Sequence, residues 1–197
     1  MNENNVKVKF TPLAWTKMWL LVDHFDSEVG WAGLCYRDAK KSFVVEDILV
    51  HKQKVTGGTV RTDFNEYDEW LDYYRENDEE TFFKISLHGH SHYRCGAYPS
   101  GKDEEVQEDF TSWLDGDMFY IFIIVNRQRE LWIKVYDMET KMMYWQNAVE
   151  VSVVQDDFDS EQFLAEADKL VERQTYKPRW RYYKEDEKDG DESGEEL

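Results

Sequence analysis

Three histidines alternate along one short stretch of the sequence, and a serine and an aspartate follow shortly after them. The stretch reads HGHSHYRCGAYPSGKD and covers residues 88–103. Side chains two positions apart in a β-strand point to the same face of the sheet, so two successive histidines of the three can bind one ion. Catalytic zinc sites use three ligands drawn from His, Asp, Glu and Cys, and leave a fourth position for water. The sequence therefore predicts a metal site in which Asp103, at the start of the next helix, is the third ligand.

Each part of this stretch also has a purely structural interpretation. Ser100 and Asp103 are three residues apart before an apolar helix, which is the spacing of a capping box. Cys95 is as consistent with a small buried side chain as with a ligand. The combined spacing of His90 and His92, seven residues, Ser100, two residues and Asp103 is rarely met by chance, and it favours the metal site.

This combined pattern, HxHx(7)SxxD, resembles the signature of the JAMM metalloproteases, also called MPN-domain zinc isopeptidases. In that family a glutamate on an earlier strand precedes glycine-rich apolar sequence, and EVGWAGLCY, residues 28–36, is similar to that segment. The resemblance extends over about residues 6–153. It implies zinc as the cofactor and these roles: His90, His92 and Asp103 as metal ligands, Glu28 as the general acid and base, and Ser100 as the hydroxyl that stabilises the oxyanion.

Two residues stand apart from the family pattern. His88 precedes the two signature histidines, and we expect it to orient the site or to form hydrogen bonds there rather than to bind metal. Tyr93 directly follows the second signature histidine, where many family members have proline. We therefore expect the loop after the histidines, and with it the fit of the substrate, to differ from that of those members.

The chemistry that the resemblance implies is hydrolysis of a peptide or isopeptide bond by a zinc-activated water. Family members cleave ubiquitin or ubiquitin-like proteins from lysines, and prokaryotic and phage relatives process conjugated proteins. We therefore expect a hydrolase with a protein or peptide substrate, including ubiquitin-like proteins, and we favour a prokaryotic or phage member because the chain is compact. The sequence does not indicate an oligomeric state.

Two other functions are consistent with parts of the sequence. The tetrapeptide GHSH, residues 89–92, resembles the histidine motif of calcineurin-like metallophosphoesterases, but the DxH, GDxxD and GNH(E/D) motifs of that family do not occur in the sequence. The other alternative is a catalytically inactive MPN-like module that binds proteins. Such modules usually lack one or more ligands, whereas this sequence retains all of them.

The elements predicted around the histidines alternate between strands and helices. VKVKF is predicted as a strand, and Thr11 caps a helix whose apolar face comprises Ala14, Met18, Leu21, Val22 and Phe25. EVGWAGLCY and SFVVEDILVH are predicted strands, KVTGGTVRTD a loop and FFKISLHGHSH a strand. Asp63 and Glu66 have the spacing of a helix cap pair, and Ser160 begins a last helix bearing Phe163, Leu164, Ala167, Leu170 and Val171. This order predicts an α/β fold with a mixed, mostly antiparallel sheet flanked by helices, and the resemblance implies an MPN/JAMM-like architecture related to that of cytidine deaminases.

Charge and composition restrict the partners. The formal net charge is −18, of which the last thirteen residues contribute −7, so the body of the chain is acidic as well. An acidic surface repels phosphate backbones, and we expect no nucleic-acid partner. The basic and aromatic segment YKPRWRYYK, residues 176–184, is the exception, and we expect it to dock on the domain or on an acidic partner.

Cysteine content and apolar run length indicate the compartment and the organisation of the chain. Two cysteines, Cys35 and Cys95, are too few for a disulfide framework, and no apolar run approaches the roughly 20 residues of a membrane helix. We expect a cytoplasmic protein with no membrane association. The predicted organisation is a catalytic domain over 1–155, a helix and basic segment over 156–183, and a disordered acidic tail over 184–197.

Overall fold

A computed structural model of the chain describes residues 5–56, 59–61, 64–154 and 160–173. In chain order the strands and helices are β1 Val6–Phe10, α1 Pro12–His24, β2 Gly30–Ala39, β3 Ser42–Leu49, β4 Gln53–Thr56, β5 Thr59–Arg61, α2 Phe64–Asn77, α3 Glu79–Lys84, β6 Ile85–His92, α4 Gly101–Thr111, β7 Phe119–Asn126, β8 Leu131–Asp137, β9 Met142–Tyr144, β10 Val149–Val153, α5 Ser160–Leu170 and β11 Val171–Arg173. A large mixed sheet combined with helices confirms the predicted α/β class.

Eight strands form the main sheet in the order β10-β1-β3-β2-β6-β7-β8-β9. Four of its pairings are antiparallel and three are parallel, so antiparallel pairing predominates by a small margin. The histidine-bearing strand β6 lies in the middle, antiparallel to β2 and parallel to β7. Helix α4 connects β6 to β7, which places the carboxyl ends of these two strands at the same edge.

Helix α1 covers one face of this sheet. Thr11 accepts a hydrogen bond at Oγ1 from the Ala14 N–H at 3.1 Å, and Pro12 occupies the first turn, where its missing N–H costs nothing. The apolar face predicted for this helix is buried, including Phe25 just beyond its end. It packs on the principal core, to which β1, β2, β3, β6, β7 and β8 contribute alternate residues.

The opposite face of the sheet carries a second apolar cluster of Leu114, Tyr120, Phe122, Ile124 and Trp132, against which Phe110 of α4 packs. Strand β7 is consequently buried along its whole length, because both of its faces are covered. The side chains of His88, His90 and His92 belong to this second face, in register with Phe122, Ile124 and Asn126 of β7. The candidate metal ligands therefore lie between the sheet and α4.

Three sequence predictions about local structure are wrong. FFKISLHGHSH is not a strand throughout: Phe82, Phe83 and Lys84 end helix α3, because the Asp78 side chain accepts a hydrogen bond from the Thr81 N–H and starts a helical turn. The segment predicted as a loop, KVTGGTVRTD, contains parts of β4 and β5, which form a three-stranded sheet with β11. Val171 is not on the last helix, because it begins β11 and pairs with β4.

Several predictions lie outside the described residues. They concern Asp63 as a cap partner, the central glycines of TGGT, the domain boundary near residue 155, the basic and aromatic segment and the acidic tail. Helix α5 is described, and it packs on α1, where His24 Nε2 lies 2.7 Å from Asp168 Oδ1. No helix within the described ranges combines the length and the apolar character that crossing a bilayer requires.

Candidate metal centre

Strand β6 presents His90 and His92 to the same side of the sheet, and both are 8% exposed. The residues between the histidines face α1 instead. Gly89 packs under the indole of Trp31, and Ser91 is buried beside Val29. The alternation of a strand thus sends the ligands to one side and anchors the strand on the other.

Helix α4 supplies Asp103 from its first turn. The Ser100 side chain accepts a hydrogen bond from the Asp103 N–H at 3.3 Å, and Asp103 Oδ2 accepts from the Ser100 N–H at 2.7 Å, which completes a capping box. The Ser100 hydroxyl also donates to Asp103 Oδ2 at 2.6 Å. Both interpretations of this pair are therefore compatible, because the capping box itself fixes the carboxylate with Oδ1 turned towards the histidines.

Three side chains converge on one point. His90 Nε2 lies 3.1 Å from His92 Nε2 and 3.3 Å from Asp103 Oδ1, and His92 Nε2 lies 3.8 Å from Asp103 Oδ2. Ligands of a tetrahedral zinc ion, with bonds of about 2.0–2.1 Å, stand about 3.3 Å apart. The two separations from His90 Nε2 are close to that edge length and the one between His92 and Asp103 is longer, and the three predicted residues form a group that could hold a metal ion.

Protonation in this group also suits metal binding. His92 Nδ1 lies 2.9 Å from the carbonyl oxygen of Gly96, and this contact assigns the ring proton to Nδ1 and leaves the Nε2 lone pair free. Burial lowers the pKa of His90 to about 4, which keeps that imidazole neutral. Burial acts to raise the pKa of Asp103, but the two histidines and Ser100 hold it well below its usual range. Two of the ligands are thus a neutral imidazole and a carboxylate. His92 differs, because its contact with Asp103 raises its pKa, and a metal ion that binds there has to displace the proton of the charged imidazole.

Glu28 lies beside this group, two residues before β2. The pairing of Gly30 with His90 places Glu28 opposite His92 when the antiparallel register is continued. Hydrogen bonds on either side of Val29 hold this continuation, since its N–H donates to Ser91 Oγ at 3.0 Å and its carbonyl accepts from the Ser91 N–H at 2.9 Å. Burial raises the pKa of the Glu28 carboxyl, opposed by the charge of His92 and assisted by that of Asp103. A glutamate with a raised pKa is better suited than an ordinary surface glutamate to accept a proton and return it.

His88 is adjacent to the three-residue ligand group but is not part of it. Its ring centre is 6.1 Å from that of His90 and 5.3 Å from that of Phe110. Burial, with smaller contributions from other histidines, lowers its pKa to about 3, so the imidazole is neutral. His88 also lines a small pocket under α4 together with His90, Asp103, Val106 and Gln107. Cys95 is exposed, and it is not one of the three described residues that could hold a metal ion.

Residues that support the site from a distance were not found by sequence reasoning. Gln53 is 1% exposed, and its amide accepts from the Gly30 N–H at 2.7 Å and donates to the Gly30 carbonyl at 2.8 Å. These bonds pair the first residue of β2 on the side where its pairing with β3 has ended. Arg127 binds the end of α1 and the turn before Glu28. The only sequence signal for Arg127 is a basic residue directly after a buried strand, β7, and Gln53, the first residue of β4, has no comparable signal.

Comparisons with known proteins add little to this geometry. No family model matches the chain, and no curated protein matches it. Among solved structures, the chain is similar to the solution structure of protein DSY2949 from Desulfitobacterium hafniense, with 14% identity and a TM-score of 0.47 over 76% of this chain and 94% of that one. A TM-score below 0.5 carries no inference about fold or function. What the chain does is therefore inferred from the site.

Proposed function

We propose that the chain is a JAMM-type zinc metallopeptidase that hydrolyses a peptide or isopeptide bond. The observation that carries the proposal is the convergence of His90, His92 and Asp103 on one point, beside a half-buried glutamate of raised pKa. All five residues that carry the family resemblance lie in one place, although they come from three separate segments of the chain. The proposed MPN-like architecture rests on the same correspondence.

The metal would be held by Nε2 of each histidine and by Asp103 Oδ1. A bound zinc ion lowers the pKa of water towards about 7 and polarises the scissile carbonyl. Glu28 accepts the proton of the attacking water and then delivers it to the leaving amine. The turn that holds Glu28 determines whether its carboxylate reaches the water, so the position of the turn matters as much as the acidity of the residue.

Ser100 has two tasks in this proposal. Its amide and hydroxyl hold Asp103 Oδ2, which orients the other carboxylate oxygen towards the metal. The hydroxyl is also the donor proposed to stabilise the oxygen of the carbonyl as that oxygen gains charge; its single proton then turns from Asp103 Oδ2 to the substrate, and the Ser100 amide keeps its bond to Oδ2. The first task is a matter of metal affinity and the second of turnover, so the two can be measured separately.

The proposed substrate is a protein or peptide, with ubiquitin-like conjugates as the first class to test. We propose a cytoplasmic setting, in keeping with the two unpaired cysteines, one buried and one exposed. The acidic body of the chain is consistent with a protein substrate and unfavourable for nucleic acid.

The test is hydrolysis by the zinc-loaded protein of three probes: ubiquitin with a C-terminal aminocoumarin amide, an isopeptide-linked ubiquitin–lysine peptide and an internally quenched peptide library. We expect turnover of at least one probe, with a loss of about 10²-fold or more in Glu28→Gln because the general base is removed. Zinc content should be unchanged in this variant. Glu105→Gln, an exposed change on α4, is the matched control. Wild-type turnover in Glu28→Gln would show that the assigned base is wrong.

A further inference from the structure

We propose that Arg127 is a positioning residue for Glu28, and that its guanidinium fixes the turn carrying Glu28 against the edge of the sheet where the metal ligands lie. The inference rests on the proposed function, since it assigns a task to Glu28. Its structural part concerns the turn itself and can be tested without a substrate.

The location of Arg127 follows from the parallel pairing of β6 and β7. His92 is in register with Asn126, the last residue of β7. The next residues, Tyr93 and Arg127, therefore leave the sheet side by side at its carboxyl edge. That edge is where ligands and catalytic groups of α/β sheets collect.

The guanidinium of Arg127 forms hydrogen bonds with the end of α1 and with the turn that follows it. Its Nε donates to the Val22 carbonyl at 3.4 Å, and its Nη2 lies 3.4 Å from the Asp23 carbonyl, 3.1 Å from the Phe25 carbonyl and 2.6 Å from Asp26 Oδ1. The last carbonyls of a helix have no partner within the helix, and a positive charge there interacts favourably with the negative end of the helix dipole. One side chain thus binds the helix end and the turn that leads to Glu28.

The same guanidinium also contacts the loop that follows the metal ligands. Its central carbon lies 4.8 Å from the ring centre of Tyr93, the residue next to His92. A planar guanidinium can stack on a ring while its edge donates to several oxygens, and a lysine cannot do both. Arg127 therefore joins the loop after the ligands to the turn before the proposed base. This contact gives Tyr93 a task at the position where many members of the resembled family have proline.

The segment after Glu28 is held independently of Arg127. Ser91 bonds both backbone groups of Val29, and the Gln53 amide bonds both backbone groups of Gly30. Glu28 is thus fixed to the sheet on its carboxyl side and by Arg127 on its amino side. Loss of Arg127 should loosen the turn over residues 25–28 and leave β2 and β6 in place.

The experiment compares Arg127→Met and Arg127→Lys with Arg129→Met. Arg129 contacts Asp23 Oδ2 at 2.7 Å and lies 4.6 Å from the ring centre of Trp19, so it binds the same helix without touching the turn. Amide hydrogen exchange is followed by mass spectrometry on peptides covering 25–31 and 85–92. Zinc content is measured, and kcat and KM are determined with the ubiquitin and peptide probes.

In Arg127→Met we expect exchange at least about tenfold faster in 25–31, unchanged exchange in 85–92 and unchanged zinc content. The value of kcat should fall by about 10- to 100-fold with KM within about twofold, because a displaced base acts on the reacting atoms and not on binding. Arg127→Lys should give intermediate values, and Arg129→Met should match the wild type in all four measurements. If Arg127→Met does not fold, Asp26→Ala provides the same comparison, since it removes the closest acceptor of the guanidinium and changes only an exposed side chain.

Wild-type exchange over 25–31 in Arg127→Met would overturn the inference, and so would faster exchange with unchanged kcat. A fall in zinc content as large as the fall in kcat would overturn it as well, because Arg127 would then support the metal ligands and not the base. Failure of the proposed function looks different. The wild-type protein would then hydrolyse no probe, while the exchange measurements would still report whether Arg127 holds the turn.

Discussion

The two oxygens of Asp103 are divided between two interactions. Oδ2 accepts hydrogen bonds from the amide and the hydroxyl of Ser100, and Oδ1 lies 3.3 Å from His90 Nε2. A capping box and a metal ligand are usually considered alternatives for such a pair, but here the capping box orients the ligand. The same hydrogen bonds from Ser100 therefore cap the helix and orient the candidate ligand.

Replacing Ser100 by alanine should weaken metal binding. The hydrogen bonds that orient Asp103 and cap α4 are lost, so we expect zinc affinity to fall by about 10- to 100-fold and stability by about 1 kcal/mol. Zinc affinity is measured by competition with a chromogenic chelator and stability by urea unfolding. Ser100→Thr, which keeps a hydroxyl and a good cap, should retain both. Unchanged zinc affinity in Ser100→Ala, with turnover lost, would show that the hydroxyl acts on the substrate and not on the ligand.

At the scale of the element, β6 has to satisfy two faces at once. His90 and His92 need the face under α4, and the residues between the histidines must fit against the α1 core. Gly89 meets this need by having no side chain: a Cβ built there would lie 2.1 Å from Trp31 Nε1, and Trp31 is fully buried. Glycine at position 89, between His88 and His90, is thus required by packing on the far side of the sheet.

Gly89→Ala should therefore destabilise the protein although it touches no ligand. Overpacking against a rigid buried indole costs about 1–3 kcal/mol, and we expect a correspondingly lower midpoint in chemical unfolding. Gly101→Ala is the matched control, because nothing lies within 4 Å of a Cβ there and the position is in the first turn of α4. The control should be neutral or more stable by up to about 1 kcal/mol. Equal stability of the two variants would contradict the packing argument.

The metal group was predictable from sequence because its geometry is local. Strand alternation places His90 and His92 on one face, and the capping spacing of Ser100 and Asp103 fixes where the next helix starts. Glu28 was predicted only through the family resemblance. No local sequence rule relates a residue to its neighbour on the strand that pairs with it. Arg127 and Gln53 have long-range partners, and these contacts exist only once the strand order is known.

The wrong predictions of local structure have a similar cause. Phe82 and Phe83 favour strands by propensity, but the Asp78 cap decides that they end a helix. Strands β4 and β5 are short and pair with each other, and the parallel addition of β11 from the far end of the chain makes them part of a three-stranded sheet. The local sequence pattern predicts neither that the Asp78 cap outweighs strand propensity nor that β11 pairs with β4.

At the scale of the whole molecule, an acidic chain contains a buried ion pair that ties two distant strands of the sheet. Arg37 Nη2 on β2 lies 2.6 Å from Asp137 Oδ1 at the end of β8, and the Asp137 side chain is fully buried. The guanidinium also stacks 4.8 Å from the ring centre of Phe43. Breaking one member of such a pair leaves a charge without its partner in the interior.

Asp137→Asn should lower the free energy of unfolding by about 3 kcal/mol at neutral pH. Burial acts to raise the pKa of Asp137, but the hydrogen bonds from Arg37 and Thr140 lower it below its usual value. A lowered pKa contributes stability above about pH 4 that is lost as the pH falls through the folded-state pKa, so the difference from wild type should narrow there. Asp38→Asn, which breaks the surface pair with Lys9, should cost under about 1 kcal/mol. A pH-independent difference would contradict the ion-pair account.

The most direct test of the central claim is the metal content of the purified protein, measured by elemental analysis beside His90→Ala and Asp103→Ala. The account predicts about one zinc ion per chain in the wild type and loss of it in both variants, because each removes one of three ligands. His88→Ala should keep the zinc, since His88 lies outside the ligand group. Equal zinc in the wild type and in both ligand variants, or no zinc in wild-type protein reconstituted with a zinc salt, would contradict the account.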